Sequence, residues 1–337
     1  MILHIGAYSS KHIMFPFIEF VHQYFNEDEH FYILCSSDKI KLPYKNTITK
    51  DIFKEQKYFI DMMNKADKII LHGVWYEEIP KIYLENKILF GKTLWAIWGG
   101  DYHCVDTISN EKKWLYENIK YIISGNKFSF DTLKRNYKIN AKLLNCFLYP
   151  SNLVKSNFPR ARCHDKTINI QIGNSANPTN RHLEAFEYIK HIKNHNIMIY
   201  CPLSYGNREY ANQIIRKGKE LFKDKFMAVE KVLSFDEYIK FLHTIDIGIF
   251  NHQKQEAFGN IITHLGFGNK VYFDENSEMG DVFKEYDLQT FDIQKFNLSK
   301  ISANEKKQNI EIVKKKFSVR SLKNCLQKVF LYNIKVS

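Results

Sequence analysis

Ile168-Asn169-Ile170-Gln171-Ile172-Gly173-Asn174-Ser175 opens the second half of the chain with a short apolar run that stops on a glycine turn. Asn177-Pro178-Thr179-Asn180-Arg181-His182 follows, and a helix is expected to begin near Asn180. Glycine lets a backbone approach a ligand closely, and the free N–H groups of a helix start attract phosphate. The spacing matches neither GxGxxG nor GxxxxGK[ST], so an ordinary turn with an Asx cap explains this stretch alone equally well.

The same pattern extends in both directions. Upstream, apolar runs at 2–5, 31–35, 68–71, 93–98 and 121–124 read as strands, with a helical stretch at 12–25 that carries Pro16. Downstream, strands are expected at 168–172, 196–200, 226–229, 245–250 and 270–273, and helices at 181–193, 207–221 and 235–244. Strand–helix alternation of this kind predicts parallel sheets covered by helices. The polar, Pro-containing stretch 149–165 divides two such sets, which gives a two-domain α/β chain. The expected bounds are 1–157, 166–315 and a final basic helical segment, 316–337, packing back across the lobes.

Open parallel sheets bind ligands beyond the carboxyl ends of their strands, so the residues after each strand deserve the closest reading. Tyr200-Cys201-Pro202-Leu203-Ser204-Tyr205-Gly206 offers hydroxyls and an aromatic ring before a helix that carries Tyr210. Asn251, His252, Gln253, Lys254, Gln255 and Glu256 form a polar cluster ahead of Phe258-Gly259. There Lys254 suits a diphosphate, and Gln255 or Glu256 suits sugar hydroxyls. In the first half, Trp95 and Trp98, expected on one side of a strand, lead into Gly99-Gly100-Asp101-Tyr102. Asp101 has the chemistry of a general base for an acceptor hydroxyl, and equally that of a helix cap. Gly6 and His72-Gly73 are further strand-end positions, and a histidine such as His72 is more often hydrogen-bonded structure than catalyst.

Composition sets outer limits. The chain has 337 residues, 45% of them apolar, and a formal charge of +12. Disorder is excluded by the apolar content. The charge is scattered and accompanied by much Ile and Asn, so it supports an anionic membrane surface only weakly and a nucleic-acid arm less. Six dispersed cysteines make no zinc-spaced set, which fits reduced thiols in a cytoplasm. The N-terminal MILHIGAYSS lacks a signal-peptide pattern, and no apolar run approaches ~20 residues. No Asp-x-Asp stands where it would hold a metal–diphosphate pair.

With these motifs in order, the chain resembles glycosyltransferase family 56. The resemblance is carried by W-A-I-W-G-G-D-Y (95–102), I-Q-I-G-N-S with N-R-H (170–182), C-P-L-S-Y-G-N through Y-A-N-Q-I to F-D-E-Y-I-K-F-L, and a polar K-Q-E-x-x-G turn ending at Gly259. It implies a GT-B fold, two Rossmann-like doubly wound domains facing across a cleft, with the donor held mainly by the second. The implied donor is dTDP-4-acetamido-4,6-dideoxygalactose or a related dTDP-sugar, and the implied acceptor a polyprenyl-diphosphate-linked oligosaccharide of surface polysaccharide synthesis. On that basis Gly173, Asn174, Ser175, Asn180, Pro202, Ser204, Tyr205, Gly206, Tyr210, Asn251, Lys254, Gln255, Glu256 and Gly259 belong to the nucleotide-sugar side. Gly6, His72, Trp98, Gly99, Gly100 and Tyr102 belong to the acceptor side, and Asp101 faces the reacting centre. No metal or cofactor is expected beyond the donor itself. The implied location is peripheral, on the cytoplasmic face of the inner membrane, with the stretch 14–25 meeting the bilayer and no nucleic acid bound. The rival readings are another nucleotide-sugar enzyme of this fold (epimerase- or phosphorylase-like) and a non-enzymatic glycan- or nucleic-acid-binding protein.

Overall fold

The computed structural model describes residues 1–102, 107–154 and 167–334, and of Tyr102 and Phe235 the backbone only. The chain divides into two units, Met1–Ser151 with Val319–Ser337, and Asn152–Ser318. The boundary expected between 157 and 166 falls outside the described residues, as do His103, Cys104 and Cys163.

The first unit is a seven-stranded sheet: β1 (Ile2–Ala7), β2 (His30–Cys35), β3 (Thr47–Lys50), β4 (Lys68–His72), β5 (Thr93–Ala96), β6 (Tyr121–Ser124) and β7 (Lys142–Asn145). Their order is β3-β2-β1-β4-β5-β6-β7, every pair parallel. The second unit has six: β8 (Ile168–Ile172), β9 (Ile197–Pro202), β10 (Phe226–Val229), β11 (Ile247–Ile249), β12 (Lys270–Phe273) and β13 (Phe291–Asp292), ordered β10-β9-β8-β11-β12-β13. Both are doubly wound sheets whose order reverses once, between β1 and β4 and between β8 and β11. A crevice for ligand forms at such a reversal.

Central strands are buried on both faces, which is why β1 and β4 read as unbroken apolar runs around His4 and His72. Edge strands are less apolar. β3, β7 and β13 escape the sequence reading because TITK, KLLN and FD alternate or are too short to stand out.

Three expectations are corrected. The strand expected at 93–98 ends at Ala96, because the Trp98 N–H is taken by the Asp101 carboxylate instead of the sheet. Trp95 and Trp98 therefore do not share a face: Trp95 is buried against Tyr116, whereas Trp98 lies beyond the strand, partly exposed. The helix Lys11–Tyr24 buries Met14, Phe17, Ile18, Phe20 and Val21 in the first unit. Those side chains are core, so of the apolar residues in the stretch 14–25 only partly exposed ones such as Phe15, Tyr24 and Phe25 face outward.

Within the final segment, expected at 316–337, lies the helix Val319–Phe330, and a second basic helix precedes it. Ala303–Lys316 belongs to the second unit and Val319–Phe330 to the first. Val319–Phe330 buries Leu322, Leu326, Val329 and Phe330, and the Lys68 ammonium donates to the Val329 carbonyl (3.1 Å) and to that of Phe330. Among the described residues no helix is long and apolar enough to cross a membrane.

Candidate active site

At the reversal of the second sheet, the β8 turn and the β11 loop stand side by side. Gly173 adopts φ +66°, and a Cβ there would lie 2.5 Å from Asn180 Oδ1 and from His182 Nε2. Only glycine fits that backbone against those two side chains. Asn180 is fully buried and shapes the turn: its Oδ1 accepts the Asn174 N–H (2.8 Å), and its Nδ2 donates to Ser175 Oγ and the Asn177 carbonyl (both 3.1 Å). From beneath, Gln171 donates to the Gly173 carbonyl (2.8 Å), and its Oε1 lies 3.2 Å from His264 Nε2. Gly206 brings the β9 loop against the same turn. The Ala176 N–H donates to the Tyr205 carbonyl (2.7 Å), and a Cβ on Gly206 would meet the Ala176 backbone at 2.7 Å.

This organised turn ends in polar groups that nothing satisfies. Asn251 and His252 are fully buried, yet neither side chain makes a hydrogen bond. The same holds for His182 Nε2, Asn174 Oδ1 and Arg181 Nη1. A buried polar atom without a partner costs about 1–3 kcal/mol, so this cluster on two neighbouring loops is a place where the polar groups of a ligand would be favoured, although the His182 ring also lies against the Ile172 backbone. Burial keeps the imidazoles uncharged: it pushes His182 down to about 3, helped by its proximity to His252, and His252 down to about 4. Tyr210 supports His182 through its hydroxyl, 3.2 Å from the His182 N–H.

The remaining expected residues divide. Pro202, Ser204, Tyr205 and Asn174 line a pocket of about 280 Å³ at the ends of β8, β9 and β10, closed by Tyr238 and Asn260. Asn174 Nδ2 donates to the Tyr205 hydroxyl at its rim (3.1 Å). Glu256 accepts from Thr179 Oγ1 (2.7 Å) and lies 3.6 Å from His252 Nε2, which ties the β11 loop to the β8 turn. The Gln255 N–H donates to Glu278 (3.1 Å), and Lys254 is exposed. Gly259 sits inside the helix Phe258–Phe267, where its carbonyl accepts from Thr263 (2.7 Å). His182, His252 and Arg181 stand within the motifs read from the sequence but were given no site role there. A buried partnerless imidazole is a tertiary property, although N-R-H after the turn was the available signal.

The reversal of the first sheet differs in chemistry. His72 ends β4, with its Nδ1 2.8 Å from the Tyr149 hydroxyl and its Nε2 3.0 Å from His4 Nδ1, and His4 Nε2 is 2.9 Å from His30 Nδ1. Trp98 Nε1 donates to the Tyr149 hydroxyl (2.8 Å). Gly6 is buried in β1 against Met14 and the His72 Cβ. Gly99, Gly100, Asp101 and Tyr102 form one short helical turn. The Tyr102 side chain lies outside the described residues. Asp101 is buried, and its two oxygens accept the N–H groups of Val74 (2.8 Å) and Trp98 (2.7 Å). Burial raises its carboxyl to about 6, against the lowering effect of those two bonds. Asp101 thus joins the loops after β4 and β5, a reach of 27 residues that a cap reading does not foresee. Among the described residues no group of three or more His, Cys, Asp or Glu side chains is placed to hold a metal ion.

Solved structures share this architecture. A glycosyltransferase from Rickettsia africae ESF-5 superposes with a TM-score of 0.70 at 17% identity, covering 100% of this chain and 99% of that one. Anabaena Alr3699/HepE, solved with UDP and glucose, gives 0.67 at 12% identity over 98% and 99% of the two chains. WaaG, a glycosyltransferase of lipopolysaccharide biosynthesis, gives 0.57 at 9% identity over 99% and 96%. The fold is GT-B. Residues 14–324 match the model of glycosyl transferase group 56, described as 4-alpha-L-fucosyltransferase, and the chain belongs to that family. It is a glycosyltransferase.

Proposed function

We propose that the chain transfers a 4-acetamido-4,6-dideoxyhexose, in the first instance 4-acetamido-4,6-dideoxygalactose, from its dTDP-sugar to a polyprenyl-diphosphate-linked oligosaccharide in surface polysaccharide synthesis. The observation that carries the donor side is the set of unsatisfied buried polar groups at the β8–β11 reversal, next to a 280 Å³ pocket. A nucleotide diphosphate supplies what is missing there. Its oxygens accept from Asn251 Nδ2, the two imidazoles and Arg181, while Lys254 adds charge from solvent. The base takes the pocket between Pro202, Tyr205 and Tyr238. That HepE was solved with UDP and glucose agrees with a nucleotide on this fold.

In the transfer, an acceptor hydroxyl oxygen bonds to the anomeric carbon and its proton passes to an oxygen of the departing diphosphate. The bond from that carbon to the diphosphate breaks, and the nucleoside diphosphate leaves with the electron pair. Histidines held neutral by burial gain attraction for a proton as that negative charge arrives, so they stabilise the leaving group without a divalent metal. Asp101 is a buried carboxylate on the expected acceptor side, and its bonds to Val74 and Trp98 also give it a loop-holding role. The acceptor's lipid places the enzyme at the cytoplasmic face of the inner membrane, by peripheral contact.

The test is thermal-shift screening with dTDP, UDP, GDP and their sugars, with and without EDTA. Stabilisation by dTDP that survives EDTA is expected. A shift with UDP or GDP alone, or one abolished by EDTA, overturns the donor or the metal-free reading respectively.

A further inference from the structure

Trp75 stands out on the first unit because a large ring is both exposed and immobilised. It is 39% exposed, yet its only polar atom is turned inward, with Nε1 donating to the His72 carbonyl (3.0 Å). Its edge packs on Trp98, centroids 5.5 Å apart at 86°, and Trp98 packs on Tyr149 at 5.2 Å and 68°. His72 fixes all three rings: its carbonyl holds Trp75, and its imidazole holds the Tyr149 hydroxyl that in turn receives Trp98.

Two glycines make room for the indole. A Cβ on Gly73, where φ is +79°, would lie 2.5 Å from Trp75 Nε1, and one on Gly100 would lie 3.2 Å from its Cζ3. Asp101 pins the two loops that carry these rings, through Val74 and Trp98. The side-chain entropy of Trp75 is therefore lost before anything binds, which is the condition for an efficient contact surface.

What remains on offer is a fixed, partly exposed indole ring at the carboxyl edge of the sheet, where the order reverses. Its complement is a flat ligand face of polarised C–H bonds with hydroxyls at its margin, which describes a pyranose ring. Glu77, paired with Lys112 (2.9 Å) and Ser109 (2.5 Å), supplies polar groups two residues along the chain. A tryptophan anchoring in a bilayer sits at headgroup level with its polar edge toward water, and here that edge is used internally.

We propose that the Trp75 indole is a stacking platform for a pyranose ring of the acceptor glycan, and that His72 is its positioning residue. This rests on the reading of the acceptor as a glycan. The experiment uses the full chain on an array of bacterial surface oligosaccharides, with dTDP binding followed in parallel. The wild-type protein is expected to bind at least one oligosaccharide. Trp75→Ala should weaken that binding about tenfold or more, and Trp75→Phe less. His72→Asn should weaken it with altered indole fluorescence, a signature of a displaced ring. All variants should keep wild-type dTDP binding and cooperative melting. Equal glycan binding by Trp75→Ala, or no array binding by a wild-type protein that binds dTDP, overturns the platform. Trp75-dependent binding to phosphatidylglycerol vesicles instead of glycans overturns it in favour of a lipid surface. Failure of dTDP to bind any of the proteins counts against the donor reading, not against Trp75.

Discussion

The carboxyl edges of the two sheets have the same topology and differ in how their central polar groups pair, although the first also leaves Trp95 Nε1 and Glu78 Oε2 without hydrogen-bond partners. On the first, the polar groups at the reversal answer one another: His72 meets Tyr149 and His4, Tyr149 meets Trp98, and Asp101 meets two backbone N–H groups. On the second, Asn251, His252 and His182 are as deeply buried but end in unpaired atoms. A self-satisfied edge presents a finished surface, whereas an unsatisfied one stores a cost that a ligand removes. On the proposed function, the first edge would recognise shape and the second charge.

The sharpest way to break this contrast is Asn251→Leu. Removing an unpaired buried amide should leave the free protein equally or more stable, by up to a few degrees in melting temperature. The same change should lower kcat/KM by roughly 100-fold, the scale of losing an oriented donor at developing charge. A variant that melts lower and still turns over would place the unsatisfied groups outside the donor site.

The mirror experiment is Asp101→Asn. Here the edge is already satisfied, so the amide turns an N–H toward a backbone donor and should cost about 2 kcal/mol in urea denaturation. Its pH dependence has a defined sign. The folded carboxyl, at about 6, lies above its unfolded value, so its contribution is complete below about pH 4 and is lost as pH rises through 6. Stability that varies between pH 4 and 7 identically in wild type and Asp101→Asn would remove this assignment.

Acid acts on both edges in the opposite sense. His72 and His182 are depressed to about 3, His30 and His252 to about 4, all chiefly by burial. Their contribution is present above the unfolded value of about 6.5 and is lost as pH falls toward 4 and 3. Stability should therefore decline below pH 6.5. Added dTDP should shrink the decline only through the second edge, and calorimetry in buffers of different ionisation heat should show proton uptake on binding. Binding without proton uptake would disconnect the imidazoles from the diphosphate. The smallest effect is expected at Lys254, which is exposed: Lys254→Ala should raise the donor KM about threefold at low salt and less at high salt.

Much of this contrast was legible in the sequence, and its limits are instructive. The glycine turns after β4 and β8 mark strand ends by local chemistry alone, whereas Gly6, read as a strand end, lies inside β1 paired with Leu34. Apolar runs reveal buried central strands. Edge strands such as Lys142–Asn145 carry no such signal, because one side faces solvent. For Asp101 the sequence left base and cap open, and its partners, Val74 and Trp98, meet only in the folded sheet. Trp75 was missed for a similar reason: the space it fills belongs to Gly100, 25 positions away, as well as to its neighbour Gly73.

The return of the last helix to the first unit has a consequence for biosynthesis. Lys68 finds its carbonyl acceptors on Val329 and Phe330, and Phe330 packs on His30 at 4.6 Å. A nascent chain emerging from the ribosome therefore exposes nearly all of the first sheet while its final wall is still unmade. The second unit has every residue it needs by position 318 and can consolidate sooner. The half that is translated first is the half completed last.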